Sequence, residues 1–131
     1  MTKLLLVEDE ANIRMILRDM TEFELGKTVE IVEADNGRDG INAIRNAQAE
    51  KFRVVATDYD MPFNNGIEVV KEALIAQVPN VVLITARDLN NLRDIFGITL
   101  MNQLRGQGLK ILPKPFSMSQ IDQHVIDPLR P

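Results

Sequence analysis

Five short apolar runs, each followed by a longer segment of helical period, constrain this chain more than any other feature of its sequence. Lys3 to Val7 (KLLLV) reads as a buried strand, and the segment after it sets Ile13, Ile16, Leu17 and Met20 on one helical stripe. Val29 to Ala34 (VEIVEA) reads as a second strand, after which Asn36-Gly37 turns the chain into a helix carrying Ile41, Ala43, Ile44 and Ala47. Arg53 to Thr57 (RVVAT) is the third strand, with a loop over Met61 to Gly66 and a helix over Ile67 to Ala76. Asn80 to Ile84 (NVVLI) is the fourth. Beyond it Leu89, Leu92, Phe96, Leu100 and Leu104 keep a spacing of three or four, which predicts one long helix stopped by Gly106 and Gly108. Leu109 to Leu112 (LKIL) is the last strand, and Ser117 is the expected N-cap of a closing helix that ends before Pro128. Strands that alternate with helices in this way predict an α/β fold, a doubly wound five-stranded parallel sheet with helices on both faces.

Composition narrows the function classes. At 131 residues with 45% apolar content the chain can fill one core, so we expect a single domain over 1–131 with no effector domain. There is no cysteine, so a metal would have to be held by oxygen or by the single histidine, His124. No apolar run approaches the roughly 18 to 20 residues that span a bilayer, and MTKLLLVED runs into acidic residues rather than a cleavable signal. The expectation is a cytoplasmic protein with no membrane contact. A net charge of −4 argues against direct nucleic-acid binding, and Arg87, Arg93, Arg105 and Lys110 are dispersed along the sequence.

The polar residues that flank the strands carry the chemistry. Glu8 and Asp9 follow the first strand, Asp58 the third, Thr85 the fourth and Lys114 the fifth. In an open doubly wound sheet all these positions share the edge where ligands bind. Three carboxylates gathered there repel one another unless a cation sits among them. Magnesium or manganese suits an oxygen-only set and commonly joins protein carboxylates to a phosphate. A divalent cation beside a lysine and a hydroxyl is an arrangement for phosphoryl transfer, with Asp58 as the attacking carboxylate.

The runs LLLVEDE, TDYDMP, LITA and PKPF resemble, in order and strand position, the signatures of response-regulator receiver domains, and the resemblance covers nearly the whole chain. It implies a flavodoxin-like sheet of strand order 2-1-3-4-5 and a two-component switch rather than a true enzyme. Glu8 and Asp9 are then the acidic metal pair, and Asp58 is the phosphoacceptor. Asp60 offers a backbone carbonyl to the metal, Thr85 is the switch hydroxyl, and Lys114 pairs with the phosphoryl group before a cis proline bond. A histidine kinase or histidine phosphotransfer protein is the implied donor, docking near the first helix and the Pro115-Phe116 loop. The message would leave through the fourth helix, fifth strand and closing helix to a downstream protein, from a monomer or a phosphorylation-dependent dimer.

Each residue also has a plainer reading. Glu8-Asp9 can cap the first helix, Asp60-Met61-Pro62 can be only a turn, Thr85 can end a strand, and Lys114-Pro115 can be an ordinary loop. His124 is expected on a solvated rim, and the stripe from Leu89 to Leu104 in the core. Three features depart from the family pattern. Ile111 stands where an aromatic switch residue is common, 28 residues separate Thr85 from Lys114, and Asp60 and Arg87 flank the phosphoryl position closely enough to pair. Two other functions compete: a haloacid-dehalogenase-type phosphatase, which the Asp58-Tyr59-Asp60 run also resembles, and a docking module that does not use phosphorylation.

Overall fold

The computed structural model describes residues 1–47 and 50–131. Its strands are β1 (Thr2–Val7), β2 (Val29–Ala34), β3 (Val54–Asp58), β4 (Asn80–Thr85) and β5 (Leu109–Pro113). They form one parallel sheet in the order β2-β1-β3-β4-β5. The helices are α1 (Ala11–Leu25), α2 (Gly37–Asn46), α3 (Gly66–Ile75), α4 (Leu89–Phe96), α5 (Ile98–Gly106) and α6 (Met118–Ile121).

The central strands are buried on both faces, so their residues read as continuous apolar runs while alternate side chains enter different cores. Leu5, Val7, Val55, Val81 and Leu83 join α2, α3, α4 and α5 in one layer. Leu4, Leu6, Val54, Ala56, Val82 and Ile84 join Leu17 of α1 and Ile121, Val125 and Ile126 of the closing segment in the other. Local capping fixes where the helices begin. The side chains of Asn36, Asn65 and Asp88 accept N–H bonds at the starts of α2, α3 and α4. Ser117 forms a full capping box with Gln120.

Four sequence expectations need correction. The helix predicted from Leu89 to Leu104 is two helices, because Gly97 at φ +83° ends α4 and begins α5. The expected stripe does not keep its phase through that break: beyond Gly97 the buried residues are Met101 and Leu104, while Leu100 is only half-buried. Ile16, placed on the buried stripe of α1, is half exposed, and Leu17 takes the core position. The closing segment does not stop before Pro128: after α6 it continues as a π turn (Asp122–Ile126) and a 3₁₀ turn (Asp127–Leu129) that contains the proline near its start. Strands β3 and β4 run one residue further than expected, so Asp58 and Thr85 are the last residues of their strands rather than the first after them.

Leu83 is wholly buried in β4, an interior strand of the sheet. Leu83→Ala is expected to cost about 2–5 kcal/mol in urea unfolding, while Ile98→Ala, at an exposed position, should leave the midpoint nearly unchanged.

Candidate functional site

Parallel pairing carries β1, β3, β4 and β5 to one edge with their carboxyl ends level. Val7 is opposite Thr57, Asp58 opposite Ile84, and Thr85 opposite Pro113. Two backbone bonds extend the ladder just past the strands: Glu8 N–H donates to Ala34 O at 3.0 Å, and Lys114 N–H to Thr85 O at 2.9 Å. Glu8 and Lys114, the residues just after β1 and β5, are thereby fixed to the neighbouring strands by backbone hydrogen bonds.

Glu8, Asp9 and Asp58 each offer a carboxylate oxygen within 4.8 Å of the others, with Glu8 and Asp58 buried and Asp9 exposed. The Lys114 ammonium lies 2.6 Å from Glu8 Oε1 and 3.3 Å from Asp58 Oδ2, and the Lys114-Pro115 bond is cis. The second oxygen of Asp58 accepts the Tyr59 N–H at 2.8 Å, and Glu8 Oε2 accepts the Glu10 N–H at 3.3 Å. A purely capping role for this acidic pair is not what the geometry shows. Glu10 is the N-cap of α1 and its side chain makes no cap bond, while the stronger contact of Glu8 is to Lys114.

Burial pushes the Glu8 carboxyl up to about 7, with the Asp58 charge adding to the shift and Lys114 opposing it. Burial also raises Asp58, again against the pull of Lys114. Burial alone would lower the Lys114 ammonium, but its contacts with Glu8 and Asp58 outweigh this and hold it above its ordinary value. The site therefore has one cation for three clustered carboxylates. That donor set, all oxygen and short of positive charge, fits a hard divalent ion.

Around this centre lies a rim. Arg87 clasps Asp60 through Nε, at 3.0 Å to Oδ2, and Nη2, at 3.0 Å to Oδ1. Its Nη1 donates to Asn91 Oδ1 at 2.8 Å. The guanidinium also lies over the Tyr59 ring, 5.1 Å from its centroid, and Tyr59 meets Phe96 edge-on at 5.5 Å. Thr85 Oγ1 accepts the Arg87 N–H at 3.0 Å, which leaves its own O–H proton free to donate. The pairing of Asp60 with Arg87 expected from their spacing is thus present. Ile111 sits half-buried against the α2–α5 layer, and His124 lies at the rim of a surface groove away from the carboxylates. Sequence reasoning missed Tyr59, Asn91 and Arg14. Asn91 lies in the first turn of α4, four residues after Arg87, which precedes the helix, so no helical spacing marked the pair. Arg14 donates to the Glu8 carbonyl at 2.6 Å, a backbone contact with no signature in residue type.

The sequence model of the response regulator receiver domain family matches residues 4–126. The chain belongs to that family. Among related proteins, this receiver domain is 34% identical over 118 residues to the Haemophilus influenzae transcriptional regulatory protein CpxR homolog, covering 89% of the chain and 45% of the relative. It is 33% identical over 120 residues to the Mycobacterium tuberculosis transcriptional regulatory protein PdtaR, covering 91% and 52%. The chain thus spans about half the length of these relatives. Solved structures share the fold: a receiver domain from Clostridium thermocellum has a TM-score of 0.74 at 18% identity, covering 98% of this chain and 94% of that one. The Francisella response regulator 1452 receiver domain has 0.72 at 19%, covering 98% and 97%. Receiver domains are the signalling phosphoacceptors of two-component systems rather than classical enzymes, which favours the switch over the phosphatase reading. They generally take magnesium at an acidic pocket, and Glu8, Asp9 and Asp58 form such a pocket here. Among the described residues, no helix is long and apolar enough to cross a membrane.

The raised carboxyls set a pH dependence. An acid whose pKa rises on folding binds more protons in the folded state, so its contribution to stability is lost as pH increases. For Glu8 that window runs from its ordinary 4.5 to about 7. In EDTA, the stability of the wild type relative to Asp58→Asn should fall as pH rises through this window, because the substitution relieves the Glu8–Asp58 repulsion. Urea midpoints that track each other across the range would contradict this account of the site.

Proposed function

We propose that this chain is a phosphoryl-accepting switch in which Asp58 takes the phosphoryl group and the α4, β5 and closing-helix surface changes its partners in response. The observation that carries this reading is the placement of the Lys114 ammonium between two buried carboxylates at the level strand ends, beside an exposed third. A carboxylate so placed can attack phosphorus, and an ammonium 3.3 Å from it can meet the negative charge of the incoming group. With a phosphohistidine donor, an Asp58 oxygen bonds to phosphorus as the P–N bond breaks and the imidazole leaves. The donor is a histidine kinase or histidine phosphotransfer protein, and the exposed Met15 and Ile16 on α1 offer it apolar contact.

Glu8, Asp9 and Asp58, with the Asp60 carbonyl, would hold a magnesium or manganese ion, which when bound supplies positive charge to the phosphoryl oxygens. The remaining work falls to the chain itself. Lys114 exchanges part of its contact with Glu8 for the phosphoryl group, and the Thr85 O–H turns toward the same oxygens. Since Thr85 also accepts the Arg87 N–H, its movement pulls on the residue that ties the rim to α4. Swinging a population from 1:99 to 99:1 takes about 5.5 kcal/mol. One charge-assisted hydrogen bond contributes about 1.5–3 kcal/mol and a neutral one about 1, so these two contacts bias the equilibrium without completing it. Partial activity before phosphorylation follows. The Asp60–Arg87 clasp covers one side of Asp58 and slows attack by water on the acyl phosphate.

Incubation with acetyl phosphate and magnesium, read by intact mass, should give one phosphoryl adduct on the wild type and none on Asp58→Asn. Continuous turnover would instead indicate an enzyme, and no adduct would leave a docking module. On the phosphorylated protein, Arg87→Ala and Asp60→Asn should each shorten the adduct's lifetime severalfold; equal lifetimes in all three would remove the clasp from the mechanism.

A further inference from the structure

Arg14 grips the turn between β1 and α1 on both sides of Asp9. Its backbone N–H donates to the Glu10 carbonyl at 3.0 Å, in the first turn of α1, and its guanidinium Nη1 donates to the Glu8 carbonyl at 2.6 Å. Glu8 is tied down at its other end as well, since its own N–H donates to Ala34 O at 3.0 Å. Because a peptide unit is planar, fixing the Glu8 carbonyl also fixes the direction of the Asp9 N–H and narrows the positions open to the Asp9 side chain. That constraint matters most for Asp9. Lys114 contacts the carboxylates of Glu8 and Asp58, and the Tyr59 N–H donates to Asp58. Among the described residues, no hydrogen bond or ion pair holds the exposed Asp9 carboxylate itself.

The guanidinium is held in turn by β2. Its Nε donates to Glu33 Oε1 at 3.1 Å, while Arg18 Nη1 donates to the other oxygen, Oε2, at 2.6 Å. A planar fork can serve the Glu8 carbonyl and Glu33 at once in fixed directions, which an ammonium on a flexible stem does less well. Glu33 also offsets the charge of Arg14, so the turn gains a donor without an uncompensated positive charge beside a cluster of carboxylates. Arg18 offers a comparison within the same helix. It shares the Glu33 carboxylate, but its Nε pairs with Glu22 Oε1 at 3.0 Å instead of reaching the β1–α1 turn.

We propose that Arg14 is a positioning residue of the metal site: through the Glu8 carbonyl it keeps the Asp9 carboxylate within reach of Glu8 and Asp58, and Glu33 sets the angle of its guanidinium. The inference rests on the reading of Glu8, Asp9 and Asp58 as the carboxylates that hold the metal. Clamp and charge act on that metal with opposite signs. As a charge, Arg14 repels a divalent cation, so removing it would tighten binding. As a clamp, it orders a ligand, so removing it frees Asp9 and weakens binding.

Titration of the full chain with manganese, read from the EPR signal of the free ion, decides between the two signs. Arg14→Ala should weaken binding about tenfold and Arg14→Lys by an intermediate factor, while Arg18→Ala keeps the affinity of the wild type. In EDTA, the Glu8 and Glu10 amides, both hydrogen-bonded in the wild type, should exchange faster in Arg14→Ala than in Arg18→Ala. Circular dichroism in EDTA shows which variants are folded, and Arg14→Lys carries the test if Arg14→Ala is not. Equal or tighter manganese binding by the Arg14 variants overturns the proposal, as does an equal weakening by Arg18→Ala. A wild type that binds no manganese removes the metal site and the clamp together. If manganese binds in a manner that depends on Arg14 while acetyl phosphate gives no adduct, the phosphoacceptor reading fails and the clamp stands.

Discussion

Lys114 places one ammonium against Glu8 at 2.6 Å and Asp58 at 3.3 Å, and the chemistry of the molecule depends on that contact. Burial raises both carboxyls, and the charge of Asp58 adds to the shift of Glu8. One lysine relieves the repulsion only in part, so the site retains an affinity for further positive charge. The parallel sheet makes the contact by bringing the ends of β1, β3 and β5 to one edge, and the Lys114 N–H bond to the Thr85 carbonyl sets its height.

From this centre a chain of contacts reaches the surface. Thr85 accepts from the Arg87 backbone, Arg87 clasps Asp60 and Asn91, and its guanidinium lies over Tyr59, which meets Phe96 at the end of α4. Both aromatic residues sit on the side of the sheet where Ile111 replaces the aromatic residue common in the family. The Tyr59–Phe96 contact thus joins the residue after Asp58 to the end of α4 without passing through β5.

Much of the site could be read along the chain because strand ends are marked by a switch from apolar to polar residues. Glu8, Asp9, Asp58, Thr85 and Lys114 all stand at such switches, and the sheet brings their strand ends together. The pairing of Asp60 with Arg87 could also be anticipated, since each lies two residues beyond a strand-end position. Arg14 could not, because it reaches a backbone carbonyl. Nor could the break between α4 and α5, because the four-residue spacing from Phe96 to Leu100 carries across Gly97 as it would in an unbroken helix.

What the sequence determined by itself is which segments are strands and which are helices: short continuous apolar runs mark the buried strands, and a 3.6-residue period marks most of the helices. Only tertiary structure decided which distant residues share a surface. Arg105, Lys110 and His124 look scattered in sequence and meet around one groove; Glu8 could serve α1 or the site and turns to Lys114. The physical reason is that hydrophobic periodicity is a local property set by backbone geometry. The partner of a charged side chain depends on how helices are displaced by single turns such as Gly97, and on which charges burial leaves to be satisfied.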